Sequence, residues 1–196
     1  MTKSKQAPPA GTAVVWRYMT TLPQIAAGLP RHGQGITFPG GRESVKSAGS
    51  LRAPETTVSF WFKTDSPNTG ICLPSIIASL FLQDGSLGVL NGGWPCNQPP
   101  GANLADGQWH HVALKWQIEP RSQTLYADGV QVAVSHGPPV GFSGSVILGR
   151  ANVNGRFLDG TLDEFRVYSR TLSDEEIQKL YWKVRSSMAK GVILTR

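Results

Sequence analysis

Two adjacent histidines, His110 and His111, two acidic runs, Asp163-Glu164 and Asp174-Glu175-Glu176, and two cysteines, Cys72 and Cys96, are the residues whose types suit acid–base, nucleophilic or metal chemistry. Their spacing decides against most of it. Residues 109–116 (WHHVALKW) alternate as a strand does. His110 shares one face with Val112, Leu114 and Trp116, while His111 shares the other with Trp109, Ala113 and Lys115. Neighbours on opposite faces do not pair on one metal ion, so a structural place for each histidine is the better reading. Retaining glycosidases need two carboxyls about 5 Å apart, which on a strand means positions i and i+2 or i+4. Asp163 and Glu164 point to opposite faces, and Asp174 to Glu176 fall at the start of a helix. There is no Gly-x-Ser-x-Gly elbow, phosphate-binding loop or His-Glu-x-x-His. The expectation is a chain that is not an enzyme. Two cysteines are too few for a structural zinc site. A bridge between them would close a loop of about 24 residues and stabilise by roughly 3 kcal/mol. The sequence leaves bridged and free forms open.

Binding chemistry has better candidates. Residues 91–106 (NGGWPCNQPPGANLAD) carry Trp94 among Gly and Pro, flanked by Asn91 and Asn97. An exposed Trp stacks on a sugar ring or fills a partner's pocket; the alternative is a ring folded back under its own loop. Residues 151–156 (ANVNGR) offer Asn152, Asn154 and Arg156 for polar contacts, or simply form a polar hairpin. Oxygen ligands for calcium could come from Asp65, Asn68 or Asp159. No motif fixes a metal site, and the metal is left undetermined.

The elements that must hold these residues are mostly strands. Residues 57–63 (TVSFWFK) put Val58, Phe60 and Phe62 on one face and Ser59 and Trp61 on the other. Asp84-Gly85 and Asp128-Gly129 each separate two strand-like runs, which predicts two type I′ hairpins. Residues 162–168 alternate too, with Asp163 expected beside Phe165 and Val167, and Glu164 beside Arg166. Residues 20–30, broken by Pro23, Gly28 and Pro30, read as irregular. Period-2 segments with turns about every ten residues predict an all-β sandwich. One helix is marked by a capping box, Ser173 with Glu176, inside a hydrophobic staple, Leu172 with Ile177. Ile177, Leu180, Tyr181, Val184 and Met188 continue its apolar stripe, and Gly191 can end it.

Charge is concentrated at the ends. Residues 1–31 and 183–196 hold eight basic residues and no acid, whereas 32–182 hold 11 basic and 13 acidic residues. The domain expectation is therefore a basic N-terminal arm at 1–31, a body at 32–182 that includes the helix start, and a basic extension at 183–196. Lys3, Lys5, Arg17, Lys190 and Arg196 are the partner-binding candidates on the arms. The acidic body makes nucleic acid an unlikely partner. No apolar run reaches about 18 residues, so no membrane span is expected. The N-terminal residues lack the apolar stretch of a Sec signal peptide.

Four motifs occur in a recognisable order. Gly107, Trp109, His110, His111, Val112 and Ala113 form a Gly-x-Trp-His-His-Val-Ala strand start. Leu125, Tyr126, Asp128 and Gly129 form a Leu-Tyr-x-Asp-Gly hairpin, and Leu148-Gly149 a Leu-Gly pair. Asp163, Glu164, Arg166, Tyr168, Arg170, Leu172 and Ser173 form a strand-to-helix ending. Over about residues 33–182 the chain resembles the laminin-G-like domains of the concanavalin A-like lectin/glucanase superfamily. The resemblance implies a two-sheet antiparallel jelly-roll sandwich with one C-terminal helix, serving recognition or adhesion, sometimes with calcium at the rim. The functional expectation is a non-catalytic recognition module acting as a structural or attachment component of a larger assembly. A phage virion decoration or tail-surface protein, held to protein subunits by its arms at the virion surface, is the example. The alternative is a secreted or cell-surface glycan-binding adhesion module, possibly calcium-assisted.

Overall fold

The computed structural model describes residues 12–15, 25–27, 34–46, 51–75, 78–137 and 142–189. In chain order the strands are β1 (Thr12–Val15), β2 (Ile25–Ala27), β3 (Gln34–Pro39), β4 (Val45–Lys46), β5 (Leu51–Ala53), β6 (Thr56–Lys63), β7 (Gly70–Ser75) and β8 (Ala78–Gln83). There follow β9 (Ser86–Asn91), β10 (Trp94–Asn97), β11 (Trp109–Gln117), β12 (Ser122–Ala127), β13 (Val130–His136), β14 (Phe142–Gly144), β15 (Ile147–Leu148) and β16 (Asp159–Tyr168). Helix α1 (Asp174–Ala189) comes last. An eight-stranded antiparallel sheet runs β13-β12-β11-β6-β16-β3-β2, with β1 also on β16. A six-stranded sheet runs β10-β9-β8-β7-β15-β4, and β5 pairs with β14. This is the expected sandwich of two antiparallel sheets.

Strand alternation builds the core between the sheets. Across the larger sheet Val58, Leu114 and Leu125 lie in register, as do Phe60, Val112 and Ala127. Across the smaller sheet one row runs Cys96, Val89, Leu80, Cys72, Leu148, Val45. All but Val45 are buried, and Val45 packs against the same cluster. Both cysteines are free and buried. Their places in that row explain it: three strand spacings of about 4.8 Å separate them, beyond the roughly 7 Å that a bridge can span. Burial alone raises both thiols, Cys96 to about 11.

The other face of the larger sheet mixes apolar and polar side chains, among them Ser59, His111 and Lys115, and is buried because α1 covers it. Ala113, Tyr126, Tyr168, Leu172 and Ile177 form one cluster there; Trp61 and Val184, with Trp109, Tyr181 and Met188 packed on them, form the next. The Tyr181 ring stacks on Trp61 at 5.7 Å and 12°. The capping box is in place: Ser173 N–H donates to Glu176 Oε2 at 2.9 Å, and Glu176 N–H to Ser173 Oγ at 3.3 Å. Asp174 Oδ1 ties the helix down, accepting from Lys115 Nζ at 3.0 Å and Tyr126 O–H at 2.7 Å. The helix continues past residue 182 to Ala189; Gly191 lies outside the described residues.

Both Asp-Gly hairpins have positive φ at both turn residues, Asp84 50° and Gly85 77°, Asp128 50° and Gly129 79°, as type I′ requires. Three expectations need correction. Residues 20–30 are not wholly irregular, since Ile25–Ala27 is β2. Nor is 1–31 simply an arm: β1 and β2 both pair into the large sheet. Asp163 does not share a face with Phe165, because one extra residue bulges β16 between Asp163 and Arg166. Glu164 takes φ 54° there. Asp163 opposes Trp61 and Arg166 opposes Ser59, on the helix side, while Leu162, Phe165 and Val167 enter the core. Glu164 still pairs with Arg166. No helix among the described residues is long and apolar enough to cross a membrane.

Candidate functional site

The β9–β10 hairpin turns on Gly92 (φ 56°) and Gly93 (φ 90°), which delivers Trp94 at the first position of an edge strand. Trp94 is 43% exposed. It is nevertheless held from the other sheet. Gln123 Nε2 on β12 donates to Trp94 O at 3.0 Å. The ring lies against Gly137, where an added Cβ would stand 2.5 Å from Trp94 Cε3, too close for any other residue. The result is an exposed indole seated where the edges of the two sheets meet. Beside it, Asn91 pairs with Trp94 across the hairpin but is 3% exposed. Among the described residues its Oδ1 has no hydrogen-bond partner, and neither has Gln123 Oε1.

The six binding candidates divide. Trp94 and Asn91 share one side of the β9–β10 ladder; Asn91 is buried, so its expected surface role does not hold. Asn97 is exposed on the opposite side, opposite Gly88. That side is the outer face of the smaller sheet, where Ser79 accepts from Asn152 N–H at 3.2 Å. Asn152 is exposed with its Oδ1 accepting from Arg150 Nη2 at 3.0 Å. Asn154 is exposed in a 3-10 turn at φ 53°. Arg156 Nη1 donates to Leu82 O at 2.8 Å, which binds its guanidinium to β8. Thus Asn97 and Asn152 meet the outer face of one sheet, and Trp94 stands at its rim. Gln123 and Gly137 escaped sequence reading: one acts from β12 and the other from just past the end of β13, and neither lies in a motif.

The chemistry-bearing residues are spent structurally. His111 Nε2 and Ser59 Oγ are 2.8 Å apart, the beginning of a nucleophile–base pair. Each residue is 1% exposed, sealed beneath α1. Burial pushes His111 down to about 4. His110 sits between two carboxylates, Nδ1 to Asp128 Oδ2 at 2.8 Å and Nε2 to Asp106 Oδ1 at 3.0 Å. Burial opposes its charge, but these hydrogen bonds win and raise its pKa. A carboxylate only accepts, so the two contacts together favour the charged form of the ring. Asp174 is held down by Tyr126 and Lys115, and Glu176 is held to about 2 by Arg170 and Ser173.

Among the described residues no three His, Cys, Asp or Glu side chains converge as a metal site. Of the oxygens proposed for calcium, Asn68 is turned to Asp84, its Nδ2 donating to Oδ1 at 3.2 Å. The Asp159 carbonyl accepts from Thr64. Lys3, Lys5, Arg17, Lys190 and Arg196 lie outside the described residues.

A family model described as the concanavalin A-like lectin/glucanases superfamily matches residues 39–178. The human adhesion G protein-coupled receptor D2 is 31% identical over 86 residues, 38% of this chain and 9% of the receptor; the chain thus spans a small part of that relative. Domain 4 of AbnA, an extracellular arabinanase of Geobacillus stearothermophilus solved with arabinotriose, superposes with a TM-score of 0.61 at 19% identity, covering 81% of this chain and 82% of that one. The CBM40 of the Ruminococcus gnavus IT-sialidase, solved with α2,3-sialyllactose, gives 0.57 at 17% identity, covering 79% and 99%.

Proposed function

We propose, from the premise that this chain belongs to the concanavalin A-like lectin/glucanases superfamily, that it is a non-catalytic glycan-binding module of an adhesion protein and that Trp94 is its stacking platform. The observation that carries the reading is the seating of Trp94: exposed, yet fixed by Gln123 and by the close approach of Gly137. A sugar ring presents an apolar C–H face, and an aromatic plane already held in place loses little entropy on receiving it. Asn97 and Asn152, on the adjoining outer face, offer amides to ring hydroxyls. The names of the relatives point the same way, towards carbohydrate and adhesion. The virion-assembly role rested on basic arms whose five named residues lie outside the described ones, and it draws no support from the relatives. The cell surface or extracellular space is the placement this function requires.

Binding to a printed glycan array, followed by calorimetry on the best hit, tests the proposal. Trp94→Ala is expected to weaken binding at least about thirtyfold, the roughly 2 kcal/mol of a central aromatic anchor. Gly137→Ala should weaken it too, by displacing the ring. No glycan bound, with or without calcium, or equal binding by Trp94→Ala, would refute it.

A further inference from the structure

Helix α1 has two sides of different chemistry. The inner side is used up against the larger sheet. The outer side presents Gln178, Lys179, Trp182, Lys183, Arg185 and Ser186, all exposed. Helical geometry puts Trp182 between Arg185 on one flank and Lys179 on the other. Trp182 is 59% exposed, the most exposed aromatic among the described residues. It is braced edge-on by Tyr181 at 5.0 Å and 65°, and Tyr181 is stacked on Trp61. Its ring is therefore held outward on a packed support. Among the described residues none of Lys179, Lys183 and Arg185 makes an ion pair. Residues 177–196 contain five basic residues and no acid. The helix dipole accounts for cations near a C-terminus, but not for an exposed indole in their midst.

We propose that this outward face of α1 docks on an anionic lipid surface, with the Trp182 ring in the headgroup layer and Lys179, Lys183 and Arg185 against the lipid phosphates and carboxylates. Three observations favour a bilayer over other acidic partners. The face is one side of a single 16-residue helix, a row of side chains that a flat partner can meet together. It combines cations with an indole, the side chain that favours the membrane–water interface. Lys179 feels Glu175 and Glu176 one turn earlier, whereas Lys183 and Arg185, flanking the ring, make no salt bridge among the described residues. Each cation near an anionic bilayer strengthens binding about fivefold. The inference goes beyond the glycan reading: α1 covers the larger sheet, whereas Trp94 is on an edge strand of the smaller one.

The test is cosedimentation of the whole chain with vesicles of phosphatidylcholine alone, or of phosphatidylcholine and phosphatidylserine in equal parts. Neither carries a sugar, so the outcome is independent of glycan binding. Binding is expected only to the anionic vesicles and should fall steeply with added salt. Lys179→Glu, Lys183→Glu and Arg185→Glu together should reduce it on the order of a hundredfold or more. Trp182→Ala should reduce it about tenfold. All four side chains are exposed, and thermal unfolding of each variant, measured alongside, separates lost docking from the lost charge–dipole support of the helix C-terminus. Failure to bind anionic vesicles overturns the proposal. So does undiminished binding by the triple variant, which would assign it to cations outside the helix. Equal affinity for soluble polyglutamate, or indifference to Trp182→Ala, would show charge attraction without docking and also overturn it.

Discussion

His110 and His111 are chain neighbours with opposite linkages to pH. His111 has its pKa lowered by burial from 6.5 to about 4. Its share of stability is intact above 6.5 and is lost as pH falls through 4, amounting to roughly 3 kcal/mol over that interval. His110 has its pKa raised. Its share is intact below 6.5 and is lost as pH rises through the folded value. Proton NMR titration of the two ring C–H resonances should separate them: His110 titrates above 6.5, and His111 stays neutral down to about 4. Coincident titration near 6.5 would mean that α1 does not seal His111. The face assignment behind this contrast was legible from the alternation of WHHVALKW. The carboxylate partners of His110 were not, since Asp106 and Asp128 reach it from a loop and a turn. The setting of Trp94 was equally hidden, because Gly137 and Gln123 approach it from the opposite sheet.

Among the elements, those specified by local chemistry were the readable ones. Asp-Gly turns require positive φ at both residues, and a capping box satisfies two backbone donors reciprocally; both signals are complete within four residues. Strand β2 lacks any such signal and is made by pairing with β3. The bulge in β16 is invisible to period-2 reading, because one extra residue leaves the composition unchanged while moving Asp163 to the other face. Helix α1 is the element with the most at stake. Ile177→Ala is expected to cost about 2–5 kcal/mol in urea unfolding, as a fully buried side chain is removed between helix and sheet. Asp174→Ala should cost about 1–3 kcal/mol, because Lys115 and Tyr126 lose their shared acceptor. Glu175→Ala, whose exposed carboxylate accepts from the Ser173 hydroxyl and feels Lys179 but holds no group of the sheet, should cost far less. Equal effects from the two acidic substitutions would contradict the docking role of Asp174.

For the whole molecule, the sandwich depends on packing and not on a covalent link. Cys72 and Cys96 are buried and raised by desolvation, with three strand spacings between them. The melting temperature should be the same with and without reductant, and neither thiol should react with a thiol reagent until the chain unfolds. Rapid labelling of either in the native protein would show that the smaller sheet opens. Sequence patterning identified the architecture because two sheets and a helix need their apolar faces met, whatever the detail. It could not show that the helix takes the mixed face of β6, because Thr57, Ser59 and Trp61 there read as a solvent-facing side.

Strand β16 lies between β6 and β3 and also carries β1, so three early strands meet only through a late one. A ribosome therefore delivers most of the larger sheet before the piece that joins it. Until residues 159–168 emerge, the partners in waiting present unpaired backbone edges, and until α1 follows, Trp61, Ala113 and Tyr126 stand bare. The nascent chain is thus an expected client of holding chaperones, and synthesis stalled before β16 should yield aggregate rather than a smaller folded domain.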